Sequence, residues 1–212
     1  MTRNDILTDL KTTQKRSSYR LIAVTGGIGS GKSTALSILT ERGFPVVSCD
    51  EFTRKLYEEH SVKARLKELF PSAVTGTTRL RADKKAIASI CFNDDESYKK
   101  LCDALSMPTF AAARKRADAL GKSHDLVFME VPLLFEYGLQ SEFDGVLVIT
   151  RPLNERIESV KKRSGLTEAE IRARIARQFD YSAARLSDYI VIENDGTKER
   201  LKEKLLSAVN KL

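Results

Sequence analysis

The chain has 212 residues, 42% of them hydrophobic and 31% charged, with 11 glycines and 5 prolines. At roughly 150 residues per domain this length favours one core with an insertion over two equal domains, and the composition excludes collagen-like, low-complexity and wholly disordered chains. The formal net charge of +7 is typical of a protein whose partner or substrate is polyanionic, either a nucleic acid or a phosphorylated small molecule.

No apolar run approaches the roughly 18 residues of a membrane-spanning helix, and residues 1–20 lack a secretory signal pattern. We therefore expect a cytoplasmic protein without a membrane partner. Basic residues form no continuous block and tryptophan is absent, so a nucleic-acid partner is not expected. Cys49, Cys91 and Cys102 fit neither a disulfide framework nor a zinc site and are expected to be reduced thiols.

The start of the chain predicts an extension, a buried strand, a helix and a second strand. Residues 1–19 are polar and are expected to form a flexible extension. The apolar run Leu21–Val24 ends at a glycine cluster, which is typical of a strand buried on both faces of a parallel sheet. A helix over Ser33–Arg42, ended by Gly43, and a strand over Pro45–Ser48 are expected to follow.

The rest of the chain predicts a helical insertion and three further strands. From Asp50 to about Lys122 apolar residues recur at helical intervals, interrupted by a loop over 71–78. Strands are expected at Leu126–Val131, Gly145–Thr150 and Tyr189–Ile192, and helices over Leu153–Lys162, from the capping box of Thr167 and Glu170 to about Phe179, and over Thr197–Leu212. This alternation predicts an α/β fold with a doubly wound parallel sheet of five strands.

The loop after the first strand is the most informative segment. Gly26–Ser33 fits the pattern of Gly, any four residues, Gly, Lys, and Ser or Thr. Glycines let backbone N–H groups turn inward to hold a β-phosphate, while Lys32 suits the β- and γ-phosphate oxygens and the Ser33 hydroxyl suits Mg²⁺. We therefore expect ATP and Mg²⁺ at Gly26, Gly27, Ile28, Gly29, Ser30, Gly31, Lys32, Ser33 and Thr34.

Asp50 bears on whether the phosphoryl group goes to water or to an acceptor. It directly follows the second predicted strand, and ligands of open parallel sheets gather at the carboxyl ends of the strands. A carboxylate there is suited to orient an attacking hydroxyl and accept its proton. The alternative is an N-cap for a helix that begins at Glu51, and the two roles are compatible.

Six arginines surround a predicted break between two helices near Gly165. Guanidinium groups suit a transferring phosphoryl group because they spread donors over its oxygens, and a mobile helical pair is able to bring them in when substrate binds. The alternative is a solvated basic helix face. The six are Arg151, Arg156, Arg163, Arg172, Arg174 and Arg177.

From about Arg20 to its end, the sequence resembles the dephospho-coenzyme A kinases, which are P-loop kinases of the nucleoside-monophosphate-kinase type. The matching segments are Val24–Thr34, Cys49-Asp50, Val131–Glu136 with Gly138-Leu139, Arg174-Ile175 with Gln178, and Asp188–Ile192 with Asn194 and Gly196. A phosphate-binding loop alone occurs in many enzymes, so the later segments make the resemblance specific.

The resemblance implies an enzyme that transfers the γ-phosphoryl group of ATP to the ribose 3′-hydroxyl of dephospho-CoA, the last step of coenzyme A biosynthesis. It implies a kinase domain over 20–212. We expect a monomer or small homo-oligomer. Within this domain it implies a nucleotide core at 20–50, 123–154 and 179–212, a helical acceptor-binding insertion at 51–122 and a lid at 155–178.

The resemblance also implies roles for single residues. By position, Asp50 resembles the base that orients the 3′-hydroxyl, and Arg163 resembles the lid arginine that acts with Lys32 on the phosphates. The segment Pro132, Leu133 and Leu134 is implied to line the acceptor pocket. Its leucines have an alternative role in the hydrophobic core.

Several positions depart from the pattern of the family. Ser48 stands where an Asp is frequent, Met107-Pro108 where His-Pro is common, and Lys84 after Asp83 where an Arg is common. Lys84 remains a candidate acceptor ligand, but an ammonium lacks the planar two-donor fork of Arg. Glu130 supplies the carboxylate expected before the Pro-Leu-Leu segment and is a candidate to hold Mg²⁺ through water.

Two other functions stay open. One is a P-loop kinase for another small acceptor, because the departures fall on acceptor-side positions. The other is a nucleotide-dependent switch with little turnover. A switch needs the phosphate cradle but neither an acceptor-orienting carboxylate nor an arginine-rich lid.

Overall fold

The computed structural model describes residues 18–181 and 186–212. These residues form two compact units, of which Ser48–Lys115 is one and the described parts of Ser17–Val47 and Arg116–Leu212 are the other. The predicted extension 1–19 lies outside the described residues except for its last two. Tyr19 is buried, and its hydroxyl donates to Asp118 Oδ1 at 2.6 Å, so packing begins just before the first strand.

The strands among the described residues form two sheets. They are β1 (Arg20–Thr25), β2 (Val46–Ser48), β3 (Val74–Thr75), β4 (Arg81–Ala82), β5 (Leu126–Glu130), β6 (Gly145–Thr150) and β7 (Ile190–Glu193). Five of them form a sheet in the order β2-β5-β1-β6-β7, in which β1 pairs in parallel with β5 and β6, and β6 pairs in parallel with β7. The strands of this sheet that come next along the chain, β2 and β5, lie on one side of β1, and the later strands, β6 and β7, lie on the other. The predicted doubly wound five-stranded fold is therefore confirmed.

The sheet strands are hydrophobic because they are buried. Leu21 is 1% exposed, and Ile22 and Val24 are fully buried in β1. Ile22 and Val24 share a core with residues of β5, β6 and the first helix, among them Phe128, Leu147, Ile149, Ile38 and Leu39. Continuous apolar runs of this kind are typical of parallel strands.

The four helices predicted with bounds agree with described helices to within about three residues at each end, and the stretch 50–122, predicted only as helical, contains four more. The described α-helices are α1 (Lys32–Glu41), α2 (Cys49–Leu56), α3 (His60–Leu69), α4 (Lys84–Asn93), α5 (Asp95–Leu120), α6 (Leu153–Ser164), α7 (Glu168–Ala176) and α8 (Lys198–Val209). The capping box of Thr167 and Glu170 is present at the start of α7, and Gly165 ends α6 in a left-handed conformation. In the described ranges, no helix combines the length and the apolar character needed to cross a membrane.

The unit Ser48–Lys115 has a hydrophobic core of its own, which includes Leu66, Phe70, Val74, Leu80 and Ile87. The predicted loop over 71–78 is wrong in part, because Pro71–Ala73 forms a 3₁₀ turn and β3 pairs antiparallel with β4. Val74 and Leu80 are buried on either side of the turn that joins β3 to β4. Burial of these two side chains holds the hairpin on the helices.

Phe128 is fully buried in β5, and its ring meets that of Phe44 edge to face at 5.4 Å between centroids. We expect Phe128→Ala to lower the free energy of unfolding by about 3–5 kcal/mol, because it removes a large apolar side chain and leaves a cavity. Val191→Ala is the control, since Val191 is 43% exposed on β7 and should change stability by less than about 0.5 kcal/mol. Urea unfolding measures both, and equal effects would contradict this description of the core.

Candidate active site

The predicted phosphate-binding loop joins β1 to α1. Gly31 is the N-cap residue of α1, so the helix begins without a side-chain cap, and its first turn has no acidic residue. The first N–H groups of a helix have no partner within the helix, and this end carries a partial positive charge. The start of α1 is therefore suited to bind a phosphate group.

Gly26 and Gly31, at the two ends of the glycine cluster, have no room for a side chain. A Cβ atom at Gly26 would overlap the carbonyl oxygen of Ile149 in β6, and one at Gly31 would overlap the side-chain amide of Asn194. Both residues also have positive φ angles, 148° and 99° respectively. Glycine adopts such angles without strain. Both positions therefore favour glycine, and at Gly26 the overlap with the backbone of Ile149 is a second reason.

Lys32 folds back over the loop. Its Nζ donates to the carbonyl oxygens of Gly26 at 2.7 Å and Gly27 at 3.2 Å. Ser33 is exposed in the first turn of α1, and Thr34 beside it is half-buried. The ammonium and the Ser33 hydroxyl thus belong to one short segment, as the pattern predicts.

The backbone of Ile28 is held by two side chains from much later in the chain. Its N–H donates to Gln178 Oε1 at 2.7 Å, and its carbonyl oxygen accepts from Arg156 Nε at 2.9 Å. Arg156 lies on α6, and Gln178 follows α7. Burial lowers the pKa of Arg156.

Asn194 supports the loop from the end of β7. Its Nδ2 donates to the carbonyl oxygen of Ser30 at 2.9 Å, and its own N–H donates to the carbonyl oxygen of Thr150 at 2.8 Å. The Ser30 hydroxyl is buried and has no hydrogen-bond partner among the described residues.

Tyr181 lies beside the start of the loop. Its hydroxyl oxygen is 3.4 Å from Thr25 Oγ1, and the rings of Phe135 and Phe179 pack against it with centroid distances of 5.9 Å and 5.4 Å. Burial raises the pKa of Tyr181 to about 12. The phenol is therefore neutral near pH 7 and adds no negative charge beside the loop.

The predicted arginine run has members in different environments. Arg151 and Arg172 pair with Glu155 and Glu168 one turn away on their own helices, at 2.9 Å and 2.7 Å. Arg163 is exposed in the last turn of α6. The guanidinium of Arg156 donates to the carbonyl oxygen of Ile28 in the phosphate-binding loop.

Local sequence patterns identify some of the residues around the loop and not others. Gln178 and Asn194 stood out as matches to family segments, although their contacts with the loop were not predicted. Arg156 was expected to grip a phosphoryl group with the other arginines, and Tyr181 was not singled out. Arg156 contacts Ile28 of the loop, 128 positions earlier, and Tyr181 contacts Thr25 at the end of β1, 156 positions earlier, and no local pattern signals either contact.

Asp50 is exposed in the first turn of α2. The N-cap interpretation is wrong, because α2 begins at Cys49 and its N-cap residue is Ser48. Ser48 has the extended backbone of a cap residue, with φ −110° and ψ 121°. Asp50 belongs to the unit Ser48–Lys115, whereas Lys32 and Ser33 belong to the other unit.

The segment after β5 combines buried and accessible residues. Glu130, the last residue of β5, is 4% exposed, and Leu134 is fully buried. Pro132 and Leu133 are half-buried. Leu134 therefore belongs to the core, as the alternative interpretation holds, whereas Pro132 and Leu133 have accessible surface.

Lys84 begins α4 within the unit Ser48–Lys115. Its Nζ is 3.5 Å from Glu58 Oε1 and 4.8 Å from the centroid of the Tyr57 ring. Asp83 caps the helix and accepts hydrogen bonds from the N–H groups of Lys85 and Ala86. An exposed ammonium thus stands at the start of a capped helix.

Comparison with known proteins gives a consistent family. The model of the family described as dephospho-CoA kinase matches residues 20–200. The dephospho-CoA kinase of Deinococcus radiodurans is 37% identical over 195 residues, covering 91% of this chain and 92% of that protein. A dephospho-CoA kinase of Thermus thermophilus is 38% identical over 190 residues, covering 89% of each chain.

Two solved structures are similar in fold. A Thermus thermophilus protein has a TM-score of 0.74 and 35% identity, covering 92% of this chain and 98% of its own. The dephospho-CoA kinase from Campylobacter jejuni has a TM-score of 0.63 and 23% identity, covering 90% of this chain and 96% of its own. The second likeness supports the fold alone.

Gly31→Ala is expected to weaken ADP binding at least about tenfold, because the new methyl group displaces the Asn194 amide and the positive φ angle costs about 1–2 kcal/mol. Gly43→Ala is the matched control, since Gly43 has a φ of 82° but nothing within 4 Å of the added Cβ. It should lose similar stability and keep its ADP affinity. Isothermal titration calorimetry measures the affinities, and equal losses of affinity would count against the Asn194 contact.

Proposed function

The chain belongs to the dephospho-CoA kinase family, and we propose that it transfers the γ-phosphoryl group of ATP to the ribose 3′-hydroxyl of dephospho-CoA, giving CoA and ADP. The observation that carries this proposal is the loop Gly26–Ser33, with Lys32 over its backbone and the uncapped start of α1 at its end. This arrangement supports binding of a nucleoside triphosphate.

The proposed ATP-binding site uses the backbone of this segment and the side chains of Lys32 and Ser33. N–H groups at the start of α1 bind phosphate oxygens, and Lys32 exchanges its carbonyl contacts for the β- and γ-phosphate oxygens. Because these oxygens carry more negative charge than a carbonyl group, they bind an ammonium more strongly. Arg163 is proposed to meet the transferring phosphoryl group, since it is exposed at the end of α6.

Mg²⁺ is proposed to bind together with ATP, through the Ser33 hydroxyl and, by way of water, the Glu130 carboxylate. These donors fit the ion, because Mg²⁺ prefers oxygen ligands and keeps several waters. Ser33 is accessible at the start of α1, and Glu130 ends β5. When bound, Mg²⁺ neutralises charge on the phosphate oxygens.

Asp50 is proposed to accept a hydrogen bond from the 3′-hydroxyl and then its proton. Its exposure in the first turn of α2 leaves the carboxylate accessible to a substrate. In a loose phosphoryl-transfer transition state the proton moves late, so the main task of this carboxylate is to orient the nucleophile.

The remaining acceptor contacts are proposed for Pro132, Leu133 and Lys84. The first two have accessible apolar surface, and Lys84 offers an exposed ammonium to an acceptor phosphate. In the same proposal the insertion 51–122 is the acceptor-binding region and 155–178 is the lid. Fully buried Leu134 is left out of the acceptor contacts.

An ADP-release assay with MgATP tests the function, with dephospho-CoA, adenosine, AMP or no acceptor in parallel reactions. We expect release to depend on dephospho-CoA and the product to be heavier by one phosphoryl group in mass spectrometry. Faster release with another acceptor would indicate a different small-molecule kinase. Binding of ATP without acceptor-dependent release would indicate a nucleotide switch.

Asp50→Asn is expected to lower kcat by about 10² or more while the KM for dephospho-CoA changes little, because an amide cannot accept the proton. Glu51→Gln is the matched control, since Glu51 is the adjacent exposed carboxylate and pairs with Lys55 at 2.7 Å. It should retain its kcat. Steady-state kinetics of both variants check this, and near-normal turnover of Asp50→Asn would remove Asp50 from the mechanism.

A further inference from the structure

We infer that Ile28 is the point at which the helical pair α6–α7 holds the phosphate-binding loop, and that Arg156 and Gln178 act there as positioning residues for phosphate binding. The kinetic part of this inference rests on the proposed function. Neither side chain is required to touch the nucleotide. Both act through the loop backbone.

Both main-chain polar groups of Ile28 are hydrogen-bonded to side chains of this region, one on α6 and one just after α7. The N–H donates to Gln178 at 2.7 Å, and the carbonyl oxygen accepts from Arg156 at 2.9 Å. The N–H of Ile28 is thereby withdrawn from phosphate binding. The cradle is left to the N–H groups that follow it and to the first turn of α1.

The side chain of Ile28 makes a third attachment to the same helices. It packs against a cluster of buried residues formed by Ile157 and Val160 of α6 and Ile171 of α7, together with Leu166 and Ile175. One loop residue is thus joined to α6 and α7 by an apolar contact, and to Arg156 and Gln178 by hydrogen bonds. A displacement of either helix would therefore move the loop.

The loop sequence allows this close approach. A Cβ atom at Gly27 would overlap the Arg156 guanidinium, and one at Gly29 would lie 2.6 Å from the Arg156 carbonyl oxygen. The two glycines that flank Ile28 therefore make space for α6. They allow the contact with α6 in addition to any contact between the loop backbone and phosphate.

A link of this kind has a reciprocal consequence. If the helical pair orders the loop for phosphate, phosphate binding must stabilise the helical pair by the same free energy. The proposed lid at 155–178 is then coupled to the nucleotide through Ile28, as well as through any arginine that meets the phosphates.

The test compares variants that remove or keep single hydrogen bonds. Gln178→Leu removes the acceptor at similar volume, and we expect the Ile28 amide hydrogen to exchange at least about tenfold faster in NMR-detected exchange. Gln178→Glu keeps an oxygen acceptor and should leave that exchange within about twofold of the wild type. Its added charge beside the phosphates excludes it from the comparison of ATP affinity.

Kinetics supply the second readout. Arg156→Met keeps the length of the side chain but removes its donors, and we expect it to raise the KM for ATP and the Kd for ADP about tenfold while the KM for dephospho-CoA stays within about twofold. Arg156→Lys keeps a cationic donor and should recover most of the ATP affinity. Arg42→Gln, at the exposed far end of α1, should behave as the wild type.

Two results would overturn the inference. One is an unchanged ADP affinity in both Gln178→Leu and Arg156→Met. The other is an equal acceleration of amide hydrogen exchange at Ile28 in Gln178→Leu and Gln178→Glu, which would assign Gln178 a packing role only. Failure of the proposed function is recognised separately, as wild-type protein whose ADP release ignores dephospho-CoA, because amide exchange and ADP binding need no acceptor.

Discussion

A phosphate-binding loop depends on the separation of its backbone groups, because the N–H groups must face the anion while the carbonyl groups find donors elsewhere. In this chain those donors are visible. The carbonyl oxygens of Gly26 and Gly27 accept from Lys32, that of Ile28 accepts from Arg156, and that of Ser30 accepts from Asn194. Pairing of the Ile28 and Ser30 carbonyl groups with Arg156 and Asn194 holds the opposite side of the loop ready for an anion, whereas the two Lys32 contacts are those proposed to be exchanged for phosphate oxygens.

The strand order explains where these donors come from. On one side of β1 lie β6 and β7, and the segments after them carry Arg156, Gln178 and Asn194. On the other side lie β5, which ends at Glu130, and β2, which is followed by the helix that carries Asp50. The half of the sheet with β6 and β7 therefore builds the support of the phosphate-binding loop. The half with β5 and β2 carries the carboxylates proposed for the metal and the acceptor.

The sequence predicted what local patterns determine. The strands β1, β5 and β6 follow from continuous apolar runs, and the start of α7 follows from a capping box of two residues three apart. The hairpin of β3 and β4 was missed because strands of two residues have no measurable period. The contacts of Arg156 with Ile28 and of Tyr181 with Thr25 were missed because only the folded sheet brings these distant segments together.

The contrast between Arg156 and Arg163 shows how packing assigns different tasks to similar side chains. Arg156 is half-buried and bonded to a loop carbonyl, so turning it toward a phosphate would leave that carbonyl unpaired at a cost of about 1–3 kcal/mol. Arg163 is exposed seven residues later on α6, about 10 Å along the helix axis, and turning it toward a phosphate incurs no comparable loss. A fixed arginine therefore suits support of the loop, whereas a solvated one near the end of its helix suits a charge that forms only during the reaction.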